Sequence, residues 1–203
     1  MEPTCSGPRP KELGGMNMKG ERTIGVAGIG KMGTALVRGL IVGHVVSRSN
    51  LLVSDLVAAR AAEVAERFGV RRVPSAPDLA RESDFVVLAS KPKDMPGLVR
   101  SIADAVSTDA LVISLAAGVR TAFIESVLRG RGRVVRIMPN LACAVGEGAT
   151  AFALGSTASP SDALVVEEIF GGLGRVTKVD EALLDAVTAL SGSGPGLVAA
   201  LVY

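Results

Sequence analysis

The sequence has little from which to build the commoner polar catalytic centres. Its 203 residues include one histidine, His44, and two cysteines, Cys5 and Cys143. One imidazole gives no raw material for a histidine metal cluster or a serine–histidine relay. Two distant thiols, one of them in a Pro/Gly-rich leader, supply neither a disulfide framework nor a thiolate metal site. No metal is expected. Aromatic residues make up 3% of the chain and tryptophan is absent, which removes a stacking platform for bases. Twenty-two Lys and Arg nearly cancel twenty Asp and Glu, so the net charge of +2 offers no basic face to nucleic acid. No apolar stretch opens the chain and none approaches the roughly 18 residues of a membrane span. The expectation is a soluble cytoplasmic protein with no nucleic-acid or membrane partner.

Apolar residues at 48% against 21% charged argue for a packed core rather than disorder. At roughly 150 residues per domain, the length suggests one full domain and part of a second. Residues 1–22 mix Pro, Gly and charge without periodicity and read as a disordered leader, within which Met16 and Met18 are alternative starts. From Thr23 onward, short apolar runs alternate with helical patterns. Strands are expected at Thr23–Ala27, Leu51–Asp55, Phe85–Ala89, Leu111–Leu115, Val134–Ile137 and 149–154, with a last short one at Arg175–Val179. Between them lie helical stretches at Thr34–Ile41, Ala58–Phe68, Met95–Ala105, Thr121–Leu128 and Ser161–Gly171. Such alternation implies βαβ units, hence a doubly wound α/β fold with a mostly parallel sheet. A helix over Glu181–Leu190, an interruption at Ser191–Pro195 and an apolar run from Leu197 to Tyr203 then read as the start of a second, helical domain. That uncovered apolar stub is expected to self-associate.

The strongest local signal is Gly28-Ile29-Gly30-Lys31-Met32-Gly33, which follows a strand and opens a helix. In that context Gly28 allows the tight turn, Gly30 lets a pyrophosphate approach the backbone, and Gly33 lets helix and strand pack closely. The phosphates would rest on the free N–H groups at the helix start. A glycine-rich turn without a ligand is the plain alternative. Asp55 closes the second strand, where a carboxylate binds a ribose 2′-hydroxyl and repels a 2′-phosphate. It could equally cap the next helix, while Ser54 with Arg60 or Arg48 would suit a phosphate. Ala89-Ser90-Lys91-Pro92 and Leu115-Ala116-Ala117-Gly118 sit at carboxyl ends of strands, where small residues leave room for a flat nicotinamide ring. Lys91 reads either as a proton donor or as a solvated, anion-facing residue. His44 reads as a surface residue. Cys143 could lie at the cleft edge, without a histidine to activate it. Glu181 reads first as a charge complementing a helix dipole.

Several segments then occur in a telling order. Gly28 to Gly33, Ala89-Ser90-Lys91-Pro92, Ser114 to Val119, Val135-Arg136-Ile137-Met138-Pro139-Asn140, and Asp185-Ala186-Val187-Thr188 through Gly192-Ser193-Gly194-Pro195 resemble the pyrroline-5-carboxylate reductase family from about Thr23 to Tyr203. The resemblance implies a Rossmann-type domain over residues 23–180, followed at 181–203 by the beginning of an all-α dimerisation domain, and a homo-oligomer. It implies reduction of 1-pyrroline-5-carboxylate to proline with NADPH or NADH. Carried over by motif, Ala27, Gly28, Ile29, Gly30, Lys31, Met32 and Gly33, with Ser54 and Asp55, would hold the dinucleotide. Ala89, Ser90, Lys91, Pro92 and Ala117 would line its nicotinamide side. Glu181 would approach the substrate nitrogen, with Asn140 and Ser193 also on the substrate side. The proton donor is unassigned, because the family continues past Gly-Ser-Gly-Pro into further helices and a Gly-Gly-Thr loop that binds the substrate carboxylate. Turnover by this chain alone is therefore expected to be poor. Leu141-Ala142 after Asn140, Ala76 in place of an Asn, and Ser90 in place of a Val depart from the family pattern. A non-catalytic dinucleotide-binding module and another imine or keto-acid reductase are the alternative readings.

Overall fold

The computed structural model describes residues 22–202. The leader (Arg22 apart), Cys5 and Tyr203 lie outside the described residues. Eight strands form one sheet: β1 (Ile24–Ala27), β2 (Leu51–Ser54), β3 (Arg71–Arg72), β4 (Phe85–Leu88), β5 (Leu111–Ser114), β6 (Arg133–Met138), β7 (Gly148–Leu154) and β8 (Gly174–Lys178). Their order is β3-β2-β1-β4-β5-β6-β7-β8. Pairing is parallel throughout, except where β7 runs antiparallel to β6. The expected doubly wound sheet is present.

The central strands are short and apolar because both faces are covered. Along β2, Leu51 and Val53 point to one face and Leu52 to the other; along β4, Phe85 and Val87 oppose Val86 and Leu88. The first face packs against α1 (Lys31–Val42) through Leu36, Val37 and Leu40, and against α6 (Pro160–Gly171) through Val166, Ile169 and Phe170. α2 (Ala58–Phe68) adds Val64 to the same face. Opposite lie α3 (Ala76–Glu82) with Leu79, α4 (Met95–Ile102) with Val99 and Ile102, and α5 (Thr121–Leu128) with Ile124 and Leu128. α2 stops at Gly69, whose φ of +66° gives the left-handed cap that L side chains resist.

Two elements lie outside the sequence expectations, and one expectation is corrected. β3 and α3 were not anticipated: β3 has only two exposed arginines, and α3 is seven residues with little periodicity. What fixes α3 is its cap, since Ser75 accepts a hydrogen bond from the Asp78 amide at 3.3 Å and Pro77 sits in the first turn. Gly25 admits it, because a Cβ there would lie 2.4 Å from Leu79. The interruption expected at Ser191–Pro195 is instead a π-helical turn, Thr188–Ser193, which carries α7 (Leu184–Val187) into α8 (Gly194–Val202). Pro195 has no N–H to donate back into the preceding turn, and it falls directly after the π-helical widening rather than breaking the helix. As a result Glu181–Val202 is one helical stretch of 22 residues, long and apolar enough to cross a membrane by length and composition, which the sequence reading had not foreseen.

Candidate functional site

The carboxyl ends of β1 and β4 adjoin at the point where strand order reverses, so their following loops diverge and leave a crevice. Gly28 has a φ of +102°, and a Cβ there would meet the Ala89 carbonyl carbon at 2.9 Å. At Gly33 a Cβ would lie 2.0 Å from the Gly28 oxygen. Both glycines are thus required by packing alone. Gly30 is different: nothing lies within 4 Å of a Cβ built there. It is the N-cap of the 12-residue α1, and no side chain caps that helix start. Open space above uncapped amides at the positive end of a helix suits a diphosphate.

A groove of about 920 Å³ opens over this turn. Of the sequence candidates, Ala27, Gly28, Gly30, Ser54, Asp55, Ala89, Ser90 and Lys91 line it. Ile29 is buried beneath the turn, and Gly33 is packed between helix and strand, so both shape the loop from below. Lys31 and Met32 open α1 beside the groove without lining it. Exposed Pro92 follows Lys91 outside the lining, and Ala117 packs instead in a small cluster with Met138 and Leu184.

The Asp55 carboxylate is held on both sides. Its Oδ2 accepts from the Ile29 amide at 2.7 Å, and its Oδ1 accepts from the Val57 amide at 2.8 Å and lies 3.5 Å from Arg60 Nη1. The Ser54 carbonyl accepts from the Gly28 amide at 2.8 Å, so the end of β2 and the glycine turn are stitched together twice. Residues that sequence reading missed complete the groove. Leu56 and Val57 are exposed at the rim beyond Asp55, Pro74, Ser75 and Pro77 enter from the start of α3, and Gly97, Leu98 and Ser101 come from one face of α4. The Ser-x-x-Asp cap at Ser75 was the available signal for α3.

Glu181, Asn140 and Ser193 are not brought to this groove. Glu181 Oε1 accepts from the Thr121 amide at 2.7 Å and Oε2 from the Thr121 hydroxyl at 3.0 Å, and the Arg136 guanidinium lies 3.7 Å away. The carboxylate thus sits at the first residue of α5 and complements that helix's dipole, besides standing in the first turn of its own helical stretch. Arg136 is 1% exposed, donates to Asp185 Oδ1 at 2.8 Å, and leaves its Nε without a partner. Asn140 bridges the Ala149 amide and the Ser191 hydroxyl, and Ser193 lies exposed on the π turn. Cys143 is buried away from the cleft against Gly39 and Gly148, and burial pushes its thiol up to about 11. His44 is exposed after α1, as expected. Among the described residues no cluster of His, Cys, Asp and Glu could hold a metal ion.

Residues 23–118 match the family model described as NADP oxidoreductase, coenzyme F420-dependent. Pyrroline-5-carboxylate reductase from Methanosarcina acetivorans is 39% identical over 175 residues, 86% of this chain and 65% of that protein. The enzyme of the same name from Mycobacterium tuberculosis is 38% identical over 198 residues, again with 65% of its length covered. The chain therefore spans just under two thirds of these curated relatives. Among solved structures, a pyrroline-5-carboxylate reductase from Coxiella burnetii superposes with a TM-score of 0.81 at 32% identity, covering 90% of this chain and 68% of that one. The Plasmodium falciparum pyrroline carboxylate reductase with NADP bound gives 0.79 at 26% identity, covering 90% and 67%. Glycine turn, strand order and these likenesses agree: the chain belongs to the pyrroline-5-carboxylate reductase family.

Proposed function

We propose that this chain binds a reduced nicotinamide dinucleotide and serves the reduction of 1-pyrroline-5-carboxylate to proline. The observation that carries the reading is the groove itself: uncapped α1 amides beneath open space at Gly30, at the switch point of a parallel sheet, in a member of this family. The residues present fit the dinucleotide. The α1 start would take the diphosphate, the Asp55 end the adenosine ribose, and the small residues Ala89 and Ser90 the nicotinamide side. When bound, the coenzyme supplies a hydride to the imine carbon, and a proton completes the amine. The chain's own part is to hold the diphosphate, keep the β4 loop low enough for a flat ring, and place the Lys91 cation near the reacting end.

Glu181–Val202 is read as a packing helix, not a membrane span. Glu181 and Asp185 tie it to a buried arginine of the sheet, and Leu184 packs into it. Its exposed apolar residues suit a second copy of the chain, and a cytoplasmic homo-oligomer is the assembly proposed. Titration of the 203-residue chain with NADH and NADPH, followed by coenzyme fluorescence, tests the reading, with saturable binding expected. Addition of 1-pyrroline-5-carboxylate then tests the substrate, by substrate-dependent oxidation of coenzyme. Failure of both coenzymes to associate would overturn the proposal.

A further inference from the structure

We infer that the adenosine end of the groove rejects a 2′-phosphate, so that the chain takes NADH in preference to NADPH, and that Asp55 is the residue responsible. The inference rests on the coenzyme reading above and names which coenzyme that site accepts. Three donors from separate segments converge there: the Ile29 amide in the glycine turn, the Val57 amide before α2, and the Arg60 guanidinium. Convergent backbone amides with a cation beside them form an anion site. Here the anion is already supplied by the chain. The Asp55 side chain is 9% exposed and accepts from both amides at 2.7 and 2.8 Å.

An incoming 2′-phosphate would have two places to go, and both are unfavourable. Displacing Asp55 breaks two charge-assisted hydrogen bonds and frees the amide that fastens the glycine turn to the end of β2. Binding beside Asp55 sets a phosphate with a charge of about −1.5 to −2 against a fixed carboxylate. Arg60 offsets this only in part, because it carries one charge, is half exposed and stands 3.5 Å from the carboxylate. The other basic groups lining the groove, Lys91 and Lys93, follow β4 at its opposite end. A ribose with a free 2′-hydroxyl meets no such conflict. An ionised carboxylate has about four acceptor positions, and the three contacts seen leave one for that hydroxyl.

The test uses the full chain. Fluorescence titration is expected to give a dissociation constant for NADH at least about tenfold below that for NADPH. AMP and adenosine 2′,5′-bisphosphate differ only in the 2′-phosphate, and AMP is expected to be the better competitor against bound NADH. Asp55→Ser empties the anion site and should tighten NADPH, bringing the ratio to one or below; a gain of binding cannot come from misfolding. Should that variant fail to fold, the competitor pair on the unaltered chain still decides. NADPH binding as tightly as NADH, or Asp55→Ser weakening NADH without tightening NADPH, would overturn the inference while the coenzyme reading stands. Binding of neither coenzyme would instead overturn that reading, and this inference with it.

Discussion

The sheet and the helical stretch after it are held by opposite means. Residues 24–178 cover both faces of every central strand with their own helices, and most large apolar side chains there are buried. In Glu181–Val202 only Leu184 is buried, while Leu190, Leu197, Val198, Leu201 and Val202 stand exposed. What fastens the stretch to the sheet is chiefly polar: Glu181 on Thr121, and Arg136 on Glu181 and Asp185. The contrast teaches that one part is stable by its own packing, whereas the other has an address on the sheet and a face awaiting cover.

Five tests would break or sharpen that comparison. The largest effect is expected from Gly33→Ala, whose Cβ has to enter the space of the Gly28 carbonyl. Overpacking of this kind costs about 1–3 kcal/mol, and the distorted turn should lose coenzyme binding; thermal melts and fluorescence titration read the two. Next is Glu181→Ala, which strands the Thr121 amide and removes one partner of a buried arginine. A loss of about 1–3 kcal/mol is expected, with Glu181→Gln recovering part of it through Thr121 and coenzyme binding little changed in both.

A pH effect follows from α6. Burial of Asp162 works to raise its carboxyl, but the Ser159 amide, Arg133 and the Ser159 hydroxyl together outweigh it and hold the group below its ordinary 3.8. The stability it contributes is therefore present above that value and lost as pH falls through the lowered one. Asp162→Asn should flatten the acid limb of a stability–pH curve. At the alkaline end the raised Cys143 thiol contributes stability that fades above about 9, so in a Cys5→Ser chain alkylation at neutral pH should be slow until the protein unfolds. The smallest effect on stability is expected from ending the chain at Gly196: within about 0.5 kcal/mol, but with self-association reduced. A large fall in stability would mean that the apolar tail packs on its own sheet after all.

Much of this is legible in the sequence. β1, β2, β4, β5 and β6 were plain because each is a continuous apolar run closed by a turn signal, and the glycine turn was plain because Gly28 and Gly33 are demanded by backbone crowding. β3 and α3 were not, because two arginines carry no periodicity and α3 depends on a serine cap and on the missing side chain of Gly25. Half of the groove was hidden for the same reason, since Pro74 to Pro77 and the Gly97–Ser101 face owe their positions to tertiary packing. Glu181 shows the opposite limit. Its charge at a helix start is plain in the sequence, whereas its hold on the first residue of α5, 60 residues earlier, is a fact of three-dimensional arrangement.

The lone antiparallel step has a consequence for how the molecule is put together. With Met138 opposite Ala151 and Val135 opposite Leu154, β7 descends while the preceding strands ascend, and β8 descends with it. The chain thus finishes its last strand level with Ile137, one residue beyond the carboxyl ends of β1, β4 and β5. The helical stretch that follows stays at that edge beside Arg136, Met138 and Asn140. The terminal helix therefore lies on the same edge of the sheet at which β1 and β4 open their crevice, and under the proposed function whatever docks on it comes to the coenzyme's side of the sheet.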